Sequence, residues 1–183
     1  SAIYYRAGRL TLLDSGTFWL SDTPEVAGSK SWGNNVVRCC TWGRFRDQEG
    51  RTFVYFNTHW DHQSQPSRLK SADLIVERIA ATAREGEPAL LTGDFNAGED
   101  NPAFIGLLGG ELGLVDTFRR LHPHADQVGT FNGFRGRVDG PKIDAVLTTP
   151  QWDVLEAEIV RANDDGRYPS DHCPVTAVVE FKN

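Results

Sequence analysis

The sequence predicts a layered α/β fold, in which short strands outnumber helices and one long helix lies between two of them. The apolar runs are short and are separated by Gly and Asp/Asn clusters, as strands bounded by turns are. A single longer segment, residues 66–84, carries Leu69, Ala72, Val76, Ile79 and Ala83 at steps of three and four, which is one face of a helix. Hairpin signals are mixed with a β–helix–β segment, a combination that calls for sheets covered by helices.

Taken in order, residues 2–6 and 10–13 flank Ala7-Gly8-Arg9 and predict a hairpin. Residues 15–35 have poor periodicity and many turn formers, so they are expected to be mostly loop. Residues 36–46 and 51–58 are rich in strand formers and are joined by Asp47-Gln48-Glu49-Gly50, a second hairpin. The helix follows and is stopped by Gly86 and Pro88. Residues 89–92 form a short apolar strand that runs into Gly93-Asp94-Phe95-Asn96. Asn101-Pro102 supplies a cap and a first-turn proline for a short helix ending at Gly109-Gly110. Residues 142–148, 154–162 and 174–181 are expected to be three further strands.

With 183 residues and 39% hydrophobic content, the chain suits one domain with a real core, and residues 1–183 are expected to form it. No apolar run approaches the roughly 20 residues that span a bilayer. The formal charge of −6 lacks the basic footprint of a tight nucleic-acid binder, although bound divalent cations would change the local sign at a phosphate site. Of the three cysteines, Cys39 and Cys40 are adjacent in a strand and should point to opposite faces, and none has zinc spacing. A chain that starts at Ser1 and contains no methionine is expected to be a processed or trimmed product or a fragment.

The reactive residue types gather at strand ends, where folds place functional groups. His59 ends one strand, Asp94 and Asn96 follow another, Asp144 lies within residues 142–148, and Asp171 and His172 precede the last strand. Each has a plain structural reading. Asp94-x-Asn96 could be an Asx turn, and either histidine could be a satisfied structural residue. Asp144 is harder to explain this way, because a carboxylate between Ile143 and Ala145-Val146-Leu147 needs a partner. Together the residues make chemical sense. Water-driven phosphoester cleavage needs a hard cation, a base and donors for developing charge. Asp94, Asn96 and Asp171 are oxygen ligands of the type Mg²⁺ prefers, His172 can take a proton with Asp144 fixing its tautomer, and His59 can donate to a phosphoryl oxygen. There is no G-x-S-x-G elbow, and Cys173 precedes a proline at a strand start, so a serine or cysteine hydrolase is disfavoured.

Four motifs occur in one order: Asn57-Thr58-His59-Trp60-Asp61-His62, Thr92-Gly93-Asp94-Phe95-Asn96, Lys142-Ile143-Asp144, and Ser170-Asp171-His172-Cys173-Pro174-Val175. They resemble the endonuclease/exonuclease/phosphatase family, over nearly the whole chain. The resemblance implies a four-layer α/β sandwich of two mixed sheets flanked by helices. It implies divalent-metal-dependent hydrolysis of a phosphodiester or phosphomonoester, with Mg²⁺ or Mn²⁺ as the cofactor. By resemblance, His172 is the base or a phosphate contact oriented by Asp144. Asp94 and Asn96 position water and bind phosphate or a second metal, Asp171 and Asp94 belong to the metal site, and His59 stabilises the transition state or assists the leaving group. Arg68 contacts phosphate, braces His59 or is a solvated helix residue. The substrate is left open among nucleic acid, inositol phosphate, lipid and small phosphoesters. Trp19, Trp32, Trp60, Phe131 and Phe134 either stack on it or belong to the core.

One departure carries its own expectation. The family's first strand and its metal-binding glutamate have no counterpart, since Gln48-Glu49 sits in a hairpin turn. The resemblance therefore implies an N-terminally truncated domain, short by on the order of 80–100 residues. A second chain or an N-terminal segment would complete it. The competing expectation is a non-catalytic remnant that serves binding or assembly.

Overall fold

The computed structural model describes residues 1–182. In chain order it contains β1 (Thr11–Trp19), β2 (Cys39–Arg46), β3 (Thr52–His59), α1 (Gln65–Thr82), β4 (Ala89–Asp94) and α2 (Pro102–Gly109). These are followed by β5 (Val115–Asp116), α3 (Thr117–Leu121), β6 (Asp144–Thr148), β7 (Trp152–Ile159) and β8 (Val175–Phe181). A six-stranded sheet has the order β1-β2-β3-β4-β6-β5, and β7 and β8 form a separate two-stranded sheet. The larger sheet is mixed: β3 and β4 are parallel, joined through α1, and the other neighbours are antiparallel.

The second hairpin forms as predicted. Asp47 Oδ1 accepts from the N–H groups of Glu49 and Arg51, both at 2.9 Å, and Gly50 takes the left-handed conformation that closes the turn. Cys40 is buried while its neighbour Cys39 is half-exposed, the alternation a strand imposes. The first hairpin does not form. Residues 7–9 make a turn, but β1 begins only at Thr11 and extends to Trp19, into the segment expected to be loop. The reason is physical. β1 is an edge strand whose first five residues are exposed, so no apolar alternation marks it, and it is held by eight backbone partners on β2.

Helix α1 starts at Ser64, whose side chain accepts from the Ser67 N–H at 3.2 Å, with proline in the first turn. Its buried face is Ser67, Ser71, Ala72, Ile75 and Ile79, and Leu69 is 41% exposed. The apolar pattern thus placed the stripe slightly off, because two serines occupy buried positions. Ile75 and Ile79 are fully buried, and each contributes ~1.5–3 kcal/mol.

The larger sheet is covered on both sides, and β3 shows it residue by residue. Val54 and Phe56 join Phe18, Leu91, Leu147 and the helices in one core cluster. Phe53 and Tyr55 point the other way, into a second cluster with Phe45, Trp152, Val179 and Phe181. The layers are therefore helices α1 and α2, the six-stranded sheet, and the β7–β8 sheet, which is the two-sheet α/β sandwich expected. Helix α3 lies against β6 and β7, one strand from each sheet. The outer face of β7–β8 is open at Leu155 (50% exposed) and Val178 (46%). Beyond the aromatic cluster the two sheets part, leaving a cleft of about 610 Å³ between Tyr55, Leu90, Val146, Ala177 and Val179. Where β3 and β4 run parallel, Gly93 lies so close to its neighbour that a Cβ there would stand 2.4 Å from the Thr58 carbonyl oxygen.

Candidate active site

The register of three adjacent strands assembles most of the site. His59 at the end of β3 lies opposite Asp94 at the end of β4, and Asp94 lies opposite Asp144 at the start of β6. His172 comes from the other layer, from the loop leading into β8. Its backbone is fastened by a bridge to Phe131 and by the Cys173 N–H donating to the Thr130 carbonyl at 2.7 Å. Thr130 is fully buried, and its hydroxyl accepts from the N–H groups of Ile143 (3.0 Å) and Asp144 (3.1 Å). One threonine therefore ties the Asp144 strand to the His172 loop.

The side chains converge. His172 Nδ1 lies 2.8 Å from Asp144 Oδ2, and His172 Nε2 lies 3.8 Å from Asp94 Oδ2. His59 Nε2 approaches the same Asp94 oxygen at 3.2 Å. Asp94 Oδ1 accepts from the Asn96 N–H at 2.8 Å, so the Asx turn is real, and it also stands in the cluster. Asn96 has φ 46°, a left-handed conformation that asparagine tolerates, and its Nδ2 donates to the Trp60 carbonyl at 2.9 Å. His59, Asp94, Asn96 and His172 line one cavity of about 510 Å³, together with Arg38, His62, Phe131 and Arg137.

The two histidines are pushed in opposite directions. Hydrogen bonding to Asp144 raises His172 above the usual histidine value, against the effect of burial, and the charges of Asp144, Asp94 and Asp171 add to it. Burial and then the positive charge of Arg38 depress His59 to about 4. The His59–Asp94 contact is therefore not an ion pair at neutral pH, because His59 is uncharged there. Burial, reinforced by the nearby Asp144 charge, raises the Asp94 carboxyl. Two carboxylates in cross-strand register, one disfavoured as an anion, make a site that a cation would relieve. Donor atoms of Asp94, Asp144 and His172 lie within 4.8 Å of one another, the one such group among the described residues. Asp144 and His172 are joined to each other, so Asp94 is the member of this set that suits a divalent cation.

Two nominated residues lie apart from that cluster. The Asp171 carboxylate is not among the mutually close donors. Its side chain is 3.5 Å from Ser170 Oγ, and its carbonyl accepts from the N–H groups of Asn132 (2.7 Å) and Gly133 (3.0 Å). Arg68 does not line the cavity. Its guanidinium donates to the Asp61 carbonyl and to Gln65 Oε1, both at 2.9 Å, so it braces the turn that follows His59. Among the aromatic residues, Trp60 is fully buried core, whereas Phe131 (45% exposed) sets its ring 5.2 Å from that of His172 at the cavity rim. Sequence reasoning missed Arg38 and Thr130, and His62, an exposed residue, joins the cavity lining beside Arg38. No local pattern marks them, since each matters only through what the fold brings beside it.

The family profile described as "Endonuclease/Exonuclease/phosphatase family" matches residues 4–172. The chain belongs to the endonuclease/exonuclease/phosphatase family. Solved structures agree with this family fold. A Bacteroides vulgatus family member is 34% identical with a TM-score of 0.85, over 97% of this chain and 69% of its own. A Bacteroides thetaiotaomicron mannosyl-6-phosphatase is 30% identical with a TM-score of 0.85 and the same coverage. The human Nocturnin catalytic domain shares the fold at 18% identity and a TM-score of 0.74, over 96% of this chain and 61% of its own. No curated protein matches the chain. Family membership and the mannosyl-6-phosphatase neighbour support a hydrolase acting on phosphoesters.

Proposed function

We propose that this protein hydrolyses a phosphoester bond with a divalent cation, Mg²⁺ or Mn²⁺, and an activated water. The observation that carries this is the four-residue cluster His59–Asp94–Asp144–His172, with one histidine held neutral and the other held towards protonation. Such divergence is how one site supplies both a base and a neutral donor. Asp94 is assigned to the cation, with the Asp171 carboxylate contributing to its field. A bound cation neutralises phosphoryl oxygens and lowers the barrier to attack.

The chain's own groups do the rest. Asp144 accepts from His172 Nδ1–H, which leaves Nε2 free to take a proton from water. The water oxygen bonds to phosphorus as the bond to the leaving oxygen breaks. Asp94 and Asn96 position that water, the Asn96 amide being fixed by Trp60. Neutral His59 donates a hydrogen bond to the developing charge. Arg68 holds the turn after His59.

The first substrates to test are p-nitrophenyl phosphate, bis-p-nitrophenyl phosphate and mannose 6-phosphate, the last because a 30% identical neighbour is a mannosyl-6-phosphatase. Turnover by the full chain should require Mg²⁺ or Mn²⁺, and His172→Ala should lower it by about 10²–10⁴-fold. No turnover with either metal would sink the proposal and favour a non-catalytic binding or assembly module. Turnover unchanged in His172→Ala would remove His172 from the chemistry.

A further inference from the structure

Arg38 differs from the partly buried arginines that are paired with carboxylates. Arg44 is paired with Glu87 at 3.1 Å, and Arg119 is paired with Glu99 at 2.6 Å. Arg38 lies in the site cavity beside His59, Asp94, Asn96 and His172. Its one side-chain hydrogen-bond partner among the described residues is His62 Nδ1, 3.2 Å from Nη2. Its Nε is buried and has no partner. The nearby Asp61 carboxylate is already committed. It accepts from the backbone N–H groups of Asn35, Val36, Gln63 and Ser64 at 2.8–3.3 Å. These bonds outweigh its burial and hold it down at about 2.

A partly desolvated guanidinium that lines the cavity without a carboxylate partner is held at a cost that an anion in the cavity would relieve. The geometry it offers is a planar pair of donors, which matches two oxygens of a tetrahedral oxyanion. Because His62 Nδ1 accepts from Arg38, His62 carries its proton on Nε2 and fixes the plane of the guanidinium without adding charge. We infer that Arg38, oriented by His62, is the binding residue for the phosphoryl dianion of a phosphomonoester, grasping two non-bridging oxygens. The inference rests on the proposed hydrolytic reading in using the same cavity, yet it concerns binding and does not need turnover.

Calorimetric titration of the Mg²⁺-loaded full chain with inorganic phosphate tests it, with p-nitrophenyl phosphate hydrolysis measured in parallel. Arg38→Gln should weaken phosphate binding about 10- to 150-fold, the range for a charge-assisted hydrogen bond lost. Arg38→Lys, which keeps the charge and loses the fork, should weaken binding by a smaller factor. Arg51→Gln, at an exposed arginine paired with Asp47, should bind as the wild type does. Thermal melting identifies a variant that fails to fold. If Arg38→Gln does, Arg38→Lys carries the test. Phosphate binding equal to wild type in the folded Arg38 variants, or no phosphate binding by the wild type, overturns the inference. Binding weakened by Arg38→Gln in a protein that turns over no substrate supports the inference while the hydrolytic proposal falls. Turnover by the wild type with phosphate binding unmoved by Arg38 substitution leaves the hydrolytic proposal standing and removes this one.

Discussion

Replacing Asp144 by Asn changes one atom and tests the centre of the proposed chemistry. The shape is kept, but the acceptor 2.8 Å from His172 Nδ1 is no longer an anion. This hydrogen bond is the largest cause of the raised His172 pKa, so that pKa should fall in the variant. Losing a charge-assisted hydrogen bond costs about 1.5–3 kcal/mol, which is about 10- to 150-fold in kcat/KM. If the new amide turns its N–H₂ towards the ring, Nδ1 must accept and the proton moves to Nε2. His172 then cannot act as a base, and the loss grows towards about 10⁴-fold. The assay is kcat/KM against pH for p-nitrophenyl phosphate with Mg²⁺, alongside an NMR titration of His172. The expected outcome is a fall of at least tenfold and a downward shift of the His172 titration. Wild-type kcat/KM, with His172 titrating as before, would refute the assigned roles of both residues.

Lys142 is 1% exposed at its side chain and pairs with Asp116 at 2.5 Å, two residues before Asp144. Lys142→Met should cost about 3–5 kcal/mol in urea unfolding by stranding the Asp116 charge, and adding Asp116→Asn, which removes the charge and keeps the acceptor that caps α3, should recover much of it. His59, held near 4 in the folded chain, binds fewer protons there than when unfolded, so stability should decline as pH drops from about 6.5 towards 4. His172, raised, stabilises in the opposite sense, an effect lost as pH rises through its folded value. In chelator, His59→Gln should therefore flatten the acid side of a urea-stability profile, and an unchanged profile would count against the depressed value. Gly93→Ala should unfold the protein or push β3 from β4, read as a lowered Tm together with lost turnover.

What the sequence disclosed follows from how local each signal is. Strand ends rich in Gly, Asp and Asn marked Asp94, Asn96 and His172, because turn chemistry and reactive groups share those positions. The Asp144 carboxylate announced its need for a partner by lying in an apolar strand, and His172 provides one at 2.8 Å. Cys39 and Cys40 alternate as a strand demands. Strand β1 was illegible because an exposed edge strand has no apolar pattern. The buried stripe of α1 was displaced by Ser67 and Ser71, whose burial no hydropathy pattern could foretell. The two-residue β5 and five-residue α3 are too short for periodicity and depend on contacts with β6 and β7. Arg38 was invisible for a different reason. Its interest lies in the carboxylate it does not have, and pairing is decided by the fold rather than by neighbours in the chain.

The placement of His172 has a mechanical consequence. Asp94 and Asp144 ride on the six-stranded sheet, whereas His172 rides on the chain entering the two-stranded one, and a cleft separates those sheets nearby. The proposed reacting centre is thus also a seam. The Asp144–His172 hydrogen bond and the Thr130 ties span that seam, so a shift of one layer against the other strains them. Conversely, any ligand gripped from both sides stitches the layers together. Occupancy should therefore be readable at a distance, as slowed amide exchange along β7 and β8, far from any atom the ligand touches.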